Sequence, residues 1–206
     1  MNTQRLLPIG VTLIAVLVIA VGWGLSESDA DLLDLDNPTD EQIGRIVAML
    51  TTQDDNLYAR VEDKLVDLKE RSVQPLETFA LEGRKQAYSA ITLLNAIEPE
   101  ANRRLATTLY DQTDPGLRAS AFRALDGFKG EPESVALWAR AVEDSEAPIR
   151  MLAASLLGET AGAHRGVAAE ALKKLRTDPD DDVREHAAEA LTMLDGRDHA
   201  AEFNVK

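Results

Sequence analysis

Two hydrophobic patterns divide the chain. Between Leu6 and Leu25 no charge interrupts the apolar positions, LLPIGVTLIAVLVIAVGWGL. A helix of that length rises about 30 Å, the depth of a bilayer's hydrocarbon layer. A run without a polar face has nothing to offer water, so the pattern predicts a membrane-spanning helix over 6–25 and not a helix of a soluble core. Pro8 suits its first turn, where the absent N–H costs no intrahelical bond, and Trp23 suits the headgroup level at its far end. From residue 39 onward apolar residues recur every three or four positions, as in amphipathic helices. Thr39 and Gln42 form a capping-box start before Ile43, Ile46, Val47 and Leu50. Leu57, Val61, Leu65 and Leu68 make a second stripe, and Pro75 to Leu81 a short partner helix.

The helical part repeats itself. DPGLRASAFRAL at 114–125, EAPIRMLAASLL at 146–157 and DDDVREHAAEAL at 180–191 superpose on Arg118, Arg150 and Arg184, which stand 32 and 34 residues apart. Each arginine follows an aliphatic residue (Leu117, Ile149, Val183), and each has an acid four positions earlier (Asp114, Glu146, Asp180). A further step back of 34 reaches Arg84 in GRKQAYSAITLL, where Ala80 takes the place of the acid. Three, six and seven positions after the arginine stand Ala87, Ala90 and Ile91; Ala121, Ala124 and Leu125; Ala153, Leu156 and Leu157; Ala187, Ala190 and Leu191. These offsets share one helix face, and the small residue at the first of them lets a neighbouring helix come close.

Breaks at Glu98-Pro99, Gly130-Glu131-Pro132 and Thr160-Ala161-Gly162 precede second apolar runs at Ala101–Tyr110, Glu133–Val142 and Arg165–Leu175. The predicted unit is helix, turn, helix. Trp138 shares a face with Val135, Ala139 and Val142 and reads as core packing, as do Tyr88, Phe122 and Phe128. Residues 39–81 then form a degenerate first repeat and cap, and residues 82–194 the repeats proper, ending in a helix over Val183–Leu194. Residues 195–206 form a tail that shields the open end with Phe203 and Val205.

Flanking charge orients the apolar run. Arg5 and the α-amine precede it, whereas Glu27, Asp29, Asp31, Asp34, Asp36, Asp40 and Glu41 follow with no basic residue among them. That asymmetry predicts a single-pass protein of the cell (inner) membrane, N-terminus cytoplasmic and the bulk extracytoplasmic or periplasmic. Residues 1–25 are on this reading an anchor or uncleaved signal. The alternative is a secreted protein released by cleavage near Ala20-Val21-Gly22 or Ser28-Asp29-Ala30, although the apolar region of such signals spans only about 7–15 residues. Residues 26–38 turn acidic and read as a solvated linker that anionic headgroups would repel.

The repeat resembles HEAT repeats, in particular the HEAT-like repeats of phycobilisome lyases, whose units open on D-P-x-x-x-V-R-x-x-A-A-x-A-L. Residues 178–191, DPDDDVREHAAEAL, follow that pattern closely; the copy at Arg118 keeps Asp114-Pro115, and the copy at Arg150 has Glu146-Ala147-Pro148. The resemblance covers about residues 82–194 and continues more weakly back to residue 39. It implies an all-α fold, an α-solenoid of antiparallel helix pairs with a concave face for a partner. It also implies that the acid and the arginine opening each first helix bond along the stack, a structural ladder of Asp114, Arg118, Glu146, Arg150, Asp180 and Arg184. Tetratricopeptide repeats share the 34-residue period and ALKKLRTDP at 171–179 has some of their character, but their Trp, Leu-Gly and Tyr landmarks do not recur.

Composition narrows the chemistry. Hydrophobic residues make up 45% and aromatics only 4%, so the core is built of Ala, Leu, Val and Ile at close range. Thirty-six acids against 22 bases give a net charge of −14, which works against nucleic acid, since each phosphate contact needs a cation. The lack of cysteine removes disulfides, thiolate metal sites, thioether haem and lipid-acylated cysteine. His186 lies a turn from Glu189, His199 is near Asp195 and Asp198, and His164 falls in a turn, so no strong metal-ligand set emerges. Asp178, Asp180, Asp181 and Asp182 lack the glycine and terminal glutamate of a calcium-binding EF-hand loop and serve as a helix start. No nucleophile with its base and no phosphate loop stands at diagnostic spacing, and no cofactor is expected. The expected function is a non-catalytic, membrane-anchored scaffold that binds a protein or peptide partner, with the acidic surface favouring a basic one. The alternative is an enzyme or a cofactor- or chromophore-handling protein that uses the solenoid groove.

Overall fold

The structure, a computed structural model, describes residues 27–203, with side chains from Asp29 to Gly196. The apolar run 6–25, and Phe203 and Val205 as shields, lie outside those residues or side chains. Among the described residues no helix is long and apolar enough to cross a membrane.

The helices are α1 (Glu27–Ala30), α2 (Asp40–Ala48), α3 (Asp55–Leu68), α4 (Glu70–Ala80), α5 (Arg84–Ile97), α6 (Pro99–Tyr110), α7 (Pro115–Ala124), α8 (Pro132–Ala141), α9 (Ala147–Gly158), α10 (Arg165–Leu175) and α11 (Asp181–Phe203). Local chemistry sets where they begin. Thr39 and Gln42 close the expected capping box on α2, the Thr39 hydroxyl accepting from the Gln42 N–H at 3.3 Å. Prolines occupy the first turn of α6, α7, α8 and α9, where the N–H is dispensable and φ is preset. The α3–α4 link is a single residue, Lys69, at φ 51°, held by the Ser72 hydroxyl donating to its carbonyl at 2.7 Å.

The helices stack in two layers. One holds α3, α5, α7, α9 and α11; the other holds α2, α4 and α6, then α8 and α10. The arginine-register alanines face the interlayer core: Ala87, Ala90, Ala121, Ala124, Ala153, Ala187 and Ala190 are all buried, and Trp138 is completely enclosed. Small residues set the spacing. A Cβ on Gly158 would lie 2.9 Å from both Cα and Cβ of Ala190, so α9 and α11 touch nearly backbone to backbone.

Four expectations are corrected. The acidic stretch 26–38 is not a free spacer from residue 29 on: Leu32 and Leu33 are buried, Asp29 pairs with Arg45, and Lys64 donates to the Leu35 carbonyl. Its D-L-L-D-L alternation gives it an apolar side, which a charge count overlooks. The Pro75 helix is longer than expected, because α4 begins at Glu70 and takes Pro75 into its interior. The last helix passes Leu194 and runs to Phe203, with Gly196 tolerated inside it. Tyr88, expected in the core, is 53% exposed, whereas Phe122 is buried and Phe128 half-buried.

Candidate functional site

The loops that lead into α3, α5, α7, α9 and α11 join each helix of one layer to the next helix of the other, and the repeat arginines stand just inside them. Arg118 donates through Nε and Nη2 to the Asp144 carboxylate at 2.8 and 2.9 Å, and through Nη1 to the Gln112 and Thr113 carbonyls. Arg150 does the same one unit on, with Asp178 at 2.7 and 2.8 Å and the Asp144 and Ser145 carbonyls at 2.8 and 3.2 Å. Each guanidinium thus clasps the loop before its own helix and reaches into the loop of the next unit. Planar, forked donors suit this bidentate task.

The acids implied as partners sit elsewhere. Asp114 accepts from the Leu117 N–H at 2.9 Å and Asp180 from the Asp182 and Val183 N–H groups, so both cap their own helices. Glu146 is exposed and caps nothing by its side chain. The along-stack partner is instead the aspartate six residues before the next arginine. Arg184, on the last helix, pairs with Asp181 in its own first turn and donates to the Asp178 carbonyl at 2.6 Å.

These ties are sheltered. The Arg150 and Asp178 side chains are 11% and 6% exposed, and those of Arg118 and Asp144 12% and 4%. Hydrogen bonding to Arg150 holds the Asp178 carboxyl below the usual aspartate range against the opposing effect of burial. Burial would raise Asp144, but Arg118, the Glu146 N–H and the Tyr110 hydroxyl outweigh it and the carboxyl lies low as well. Tyr110 donates to Asp144 at 3.0 Å; burial and that bond push its hydroxyl up to about 12.

At Arg84 the pattern stops. The position six residues before Arg118 is Gln112, so Arg84 has no aspartate to clasp as Arg118 and Arg150 have; among the described residues it forms no ion pair, although Asp114, which caps its own helix, borders Gly116 beside the Arg84 stem. Its stem lies over Gly116, where a Cβ would come within 3.1 Å of its Cδ. Beside it opens a groove of about 640 Å³ between the turn at Thr51–Gln53 and the start of α5, lined also by Lys85 and Tyr88. Arg123, from α7, stacks over the Tyr88 ring at 4.3 Å. Nothing in the amphipathic pattern marked this groove; the missing aspartate at position 112 was the visible signal. No three His, Asp or Glu among the described residues are grouped to hold a metal ion, and His186 Nδ1 lies 2.8 Å from the Asp182 carbonyl of its own helix.

A family model described as HEAT repeats matches residues 102–192, from α6 into α11. Among solved structures, one engineered protein is 16% identical over 82% of this chain and 90% of its own, with a TM-score of 0.42. A second engineered protein is 17% identical over 82% of this chain and 53% of its own, also at 0.42. A designed armadillo repeat protein is 15% identical over 81% of this chain and 92% of its own, at 0.41. No curated protein matches. The matched stretch is HEAT-like, and the described chain is an all-helical stack of repeated units.

Proposed function

We propose that the chain is a non-catalytic scaffold that holds a protein or peptide partner outside the cytoplasm, tethered to the cell membrane by residues 6–25. The observation that carries the reading is the row of tied loops. Arg118 and Arg150 fix successive units to one another by buried, bidentate bonds, which makes a rigid platform with extended outer faces. Along that row Asp114, Glu146, Asp181 and Asp182 remain exposed, within a chain of net charge −14, and this favours a basic partner.

Capture with the full-length chain from a detergent-solubilised envelope extract, eluted in a salt gradient, tests the binding. A specific protein released as salt rises supports it, because exposed charge pairs are screened within about 10 Å at 0.1 M salt. A chain that retains only a small molecule refutes it. Protease added outside intact cells tests the tether: the repeats should be digested while the N-terminus remains Met1 or Asn2. A mature N-terminus near Trp23 or Asp31 would show a cleaved signal.

A further inference from the structure

The groove beside Arg84 reverses the electrostatic character of the rest of the molecule. None of its ten lining residues is acidic, and two of them, Arg84 and Lys85, are exposed cations without an ion pair among the described residues. The neighbouring acids do not pair with these cations: Asp54 turns its carboxylate onto the Asn56 and Leu57 N–H groups of its own helix, Asp114, which borders the Arg84 stem at Gly116, accepts from the Leu117 N–H, and Glu82, two residues before Arg84, lies outside the lining. A third cation, Arg123, has no ion pair among the described residues either and is parked on the Tyr88 ring, 53% of whose residue surface is exposed. Arg118 and Arg150 are consumed in building the stack; Arg84 occupies their repeat position with that task removed, because Gln112 stands where Asp144 and Asp178 stand in the later units. Two cations in the first turn of a helix also oppose its dipole, a placement that an anion would relieve.

We propose that this groove binds an acidic peptide segment of a partner protein, its carboxylates on Arg84 and Lys85 and an apolar or aromatic side chain against Tyr88. The volume lies within the range of ligand sites, about 300–1,000 Å³. Thr51, Thr52, Gln53 and Gln86 supply uncharged hydrogen-bonding groups at the rim for a peptide backbone. A guanidinium presents a flat fork to a carboxylate, and an exposed tyrosine ring gives contact area at low entropy cost. The inference rests on the reading of the chain as an interaction scaffold and adds a contact of opposite sign to its acidic faces.

The test uses the full-length chain in detergent and a fluorescein-labelled octapeptide that alternates glutamate with phenylalanine. Fluorescence anisotropy should show binding that weakens with salt, and a peptide with glutamine for every glutamate should bind at least about tenfold more weakly. The double variant Arg84→Gln/Lys85→Gln, both sites being exposed, should keep its melting temperature and weaken the glutamate peptide by about tenfold. Equal affinity for the two peptides, no binding by the wild type, or undiminished binding by the double variant each overturns the groove assignment. Displacement by inorganic phosphate alone at low millimolar concentration would assign the groove to a small anion and overturn it too. Capture of the same partner by wild type and double variant would remove the groove while leaving the scaffold reading intact.

Discussion

Arg150 gives the sharpest test of how the units are held together. Replacing it with alanine removes five donors and leaves the Asp178 carboxylate, 6% exposed, with only the Asp180 N–H at 3.0 Å; the Asp144 and Ser145 carbonyls lose their donor as well. Removing one partner of a buried ion pair costs about 3–5 kcal/mol, since the survivor keeps its desolvation penalty without its compensation. In a chain of this size each kcal/mol lowers the melting temperature by about 2–4 °C, so the variant should melt roughly 6–20 °C below the wild type. The pH dependence carries a second signature. Asp178 has a folded pKa depressed below its unfolded one, so its contribution is fully present above the ordinary aspartate value of about 3.9 and is lost as pH falls through the lower folded value. In the variant the chief cause of the depression is gone and burial pushes the carboxyl upward. The gap in melting temperature between wild type and variant should therefore be widest near pH 7 and narrow below about pH 4. Differential scanning calorimetry at pH 7 and pH 3 measures both. A difference under about 2 °C at pH 7, or one equally large at both pH values, refutes the claim that this pair fixes the units.

Three further outcomes are expected. Gly158→Ala should cost about 1–3 kcal/mol by forcing α9 from Ala190, while Gly127→Ala, with nothing within 4 Å of the new Cβ, should change far less; urea denaturation compares them. Gln112→Asp restores the aspartate of the later units, so it should capture Arg84, raise the melting temperature and weaken the glutamate octapeptide at once, and a variant that binds the peptide as well as the wild type would break that link. Tyr110, pushed up to about 12, contributes stability that is whole below the ordinary tyrosine value of about 10 and is lost as pH rises through 12. Tyr110→Phe should therefore remove a late step from the absorbance titration of the tyrosines and flatten the fall in stability over that window.

Much of the stack could be read from spacing. Arg118, Arg150 and Arg184 recur with an alanine at a fixed offset, and a repeated small residue on one helix face has few explanations besides close packing. The bonding partner was harder to see. An acid precedes the arginine by four residues in all three copies, whereas an aspartate precedes it by six only at Asp144 and Asp178. The more regular signal belongs to the helix's own N–H groups and the less regular one to the neighbour, because a cap acts within one unit and a tie between two. Tyr88 misled for a related reason. It stands four residues after Arg84, beside the apolar stripe of α5, where Phe122 stands after Arg118 and is buried; whether that flank is covered depends on where the preceding unit ends, and the turn at Thr51–Gln53 leaves a gap there. Leu32 and Leu33 were hidden by the acids around them, since net charge says nothing about which side of a short turn is apolar.

The interrupted row of arginine ties has a mechanical meaning. Between α7 and α9, and between α9 and α11, a bidentate guanidinium sets the pitch of one unit on the next; between α5 and α7 no such strut exists among the described residues, and Arg84 rests on Gly116 without a fixed end. The α5–α7 step is held by helix packing without that strut, so it is the step at which a change of pitch would break no buried arginine–aspartate pair. Arg84 sits both at that step and at the groove beside it, so the one repeat arginine left without a carboxylate along the stack is the one the groove presents to solvent.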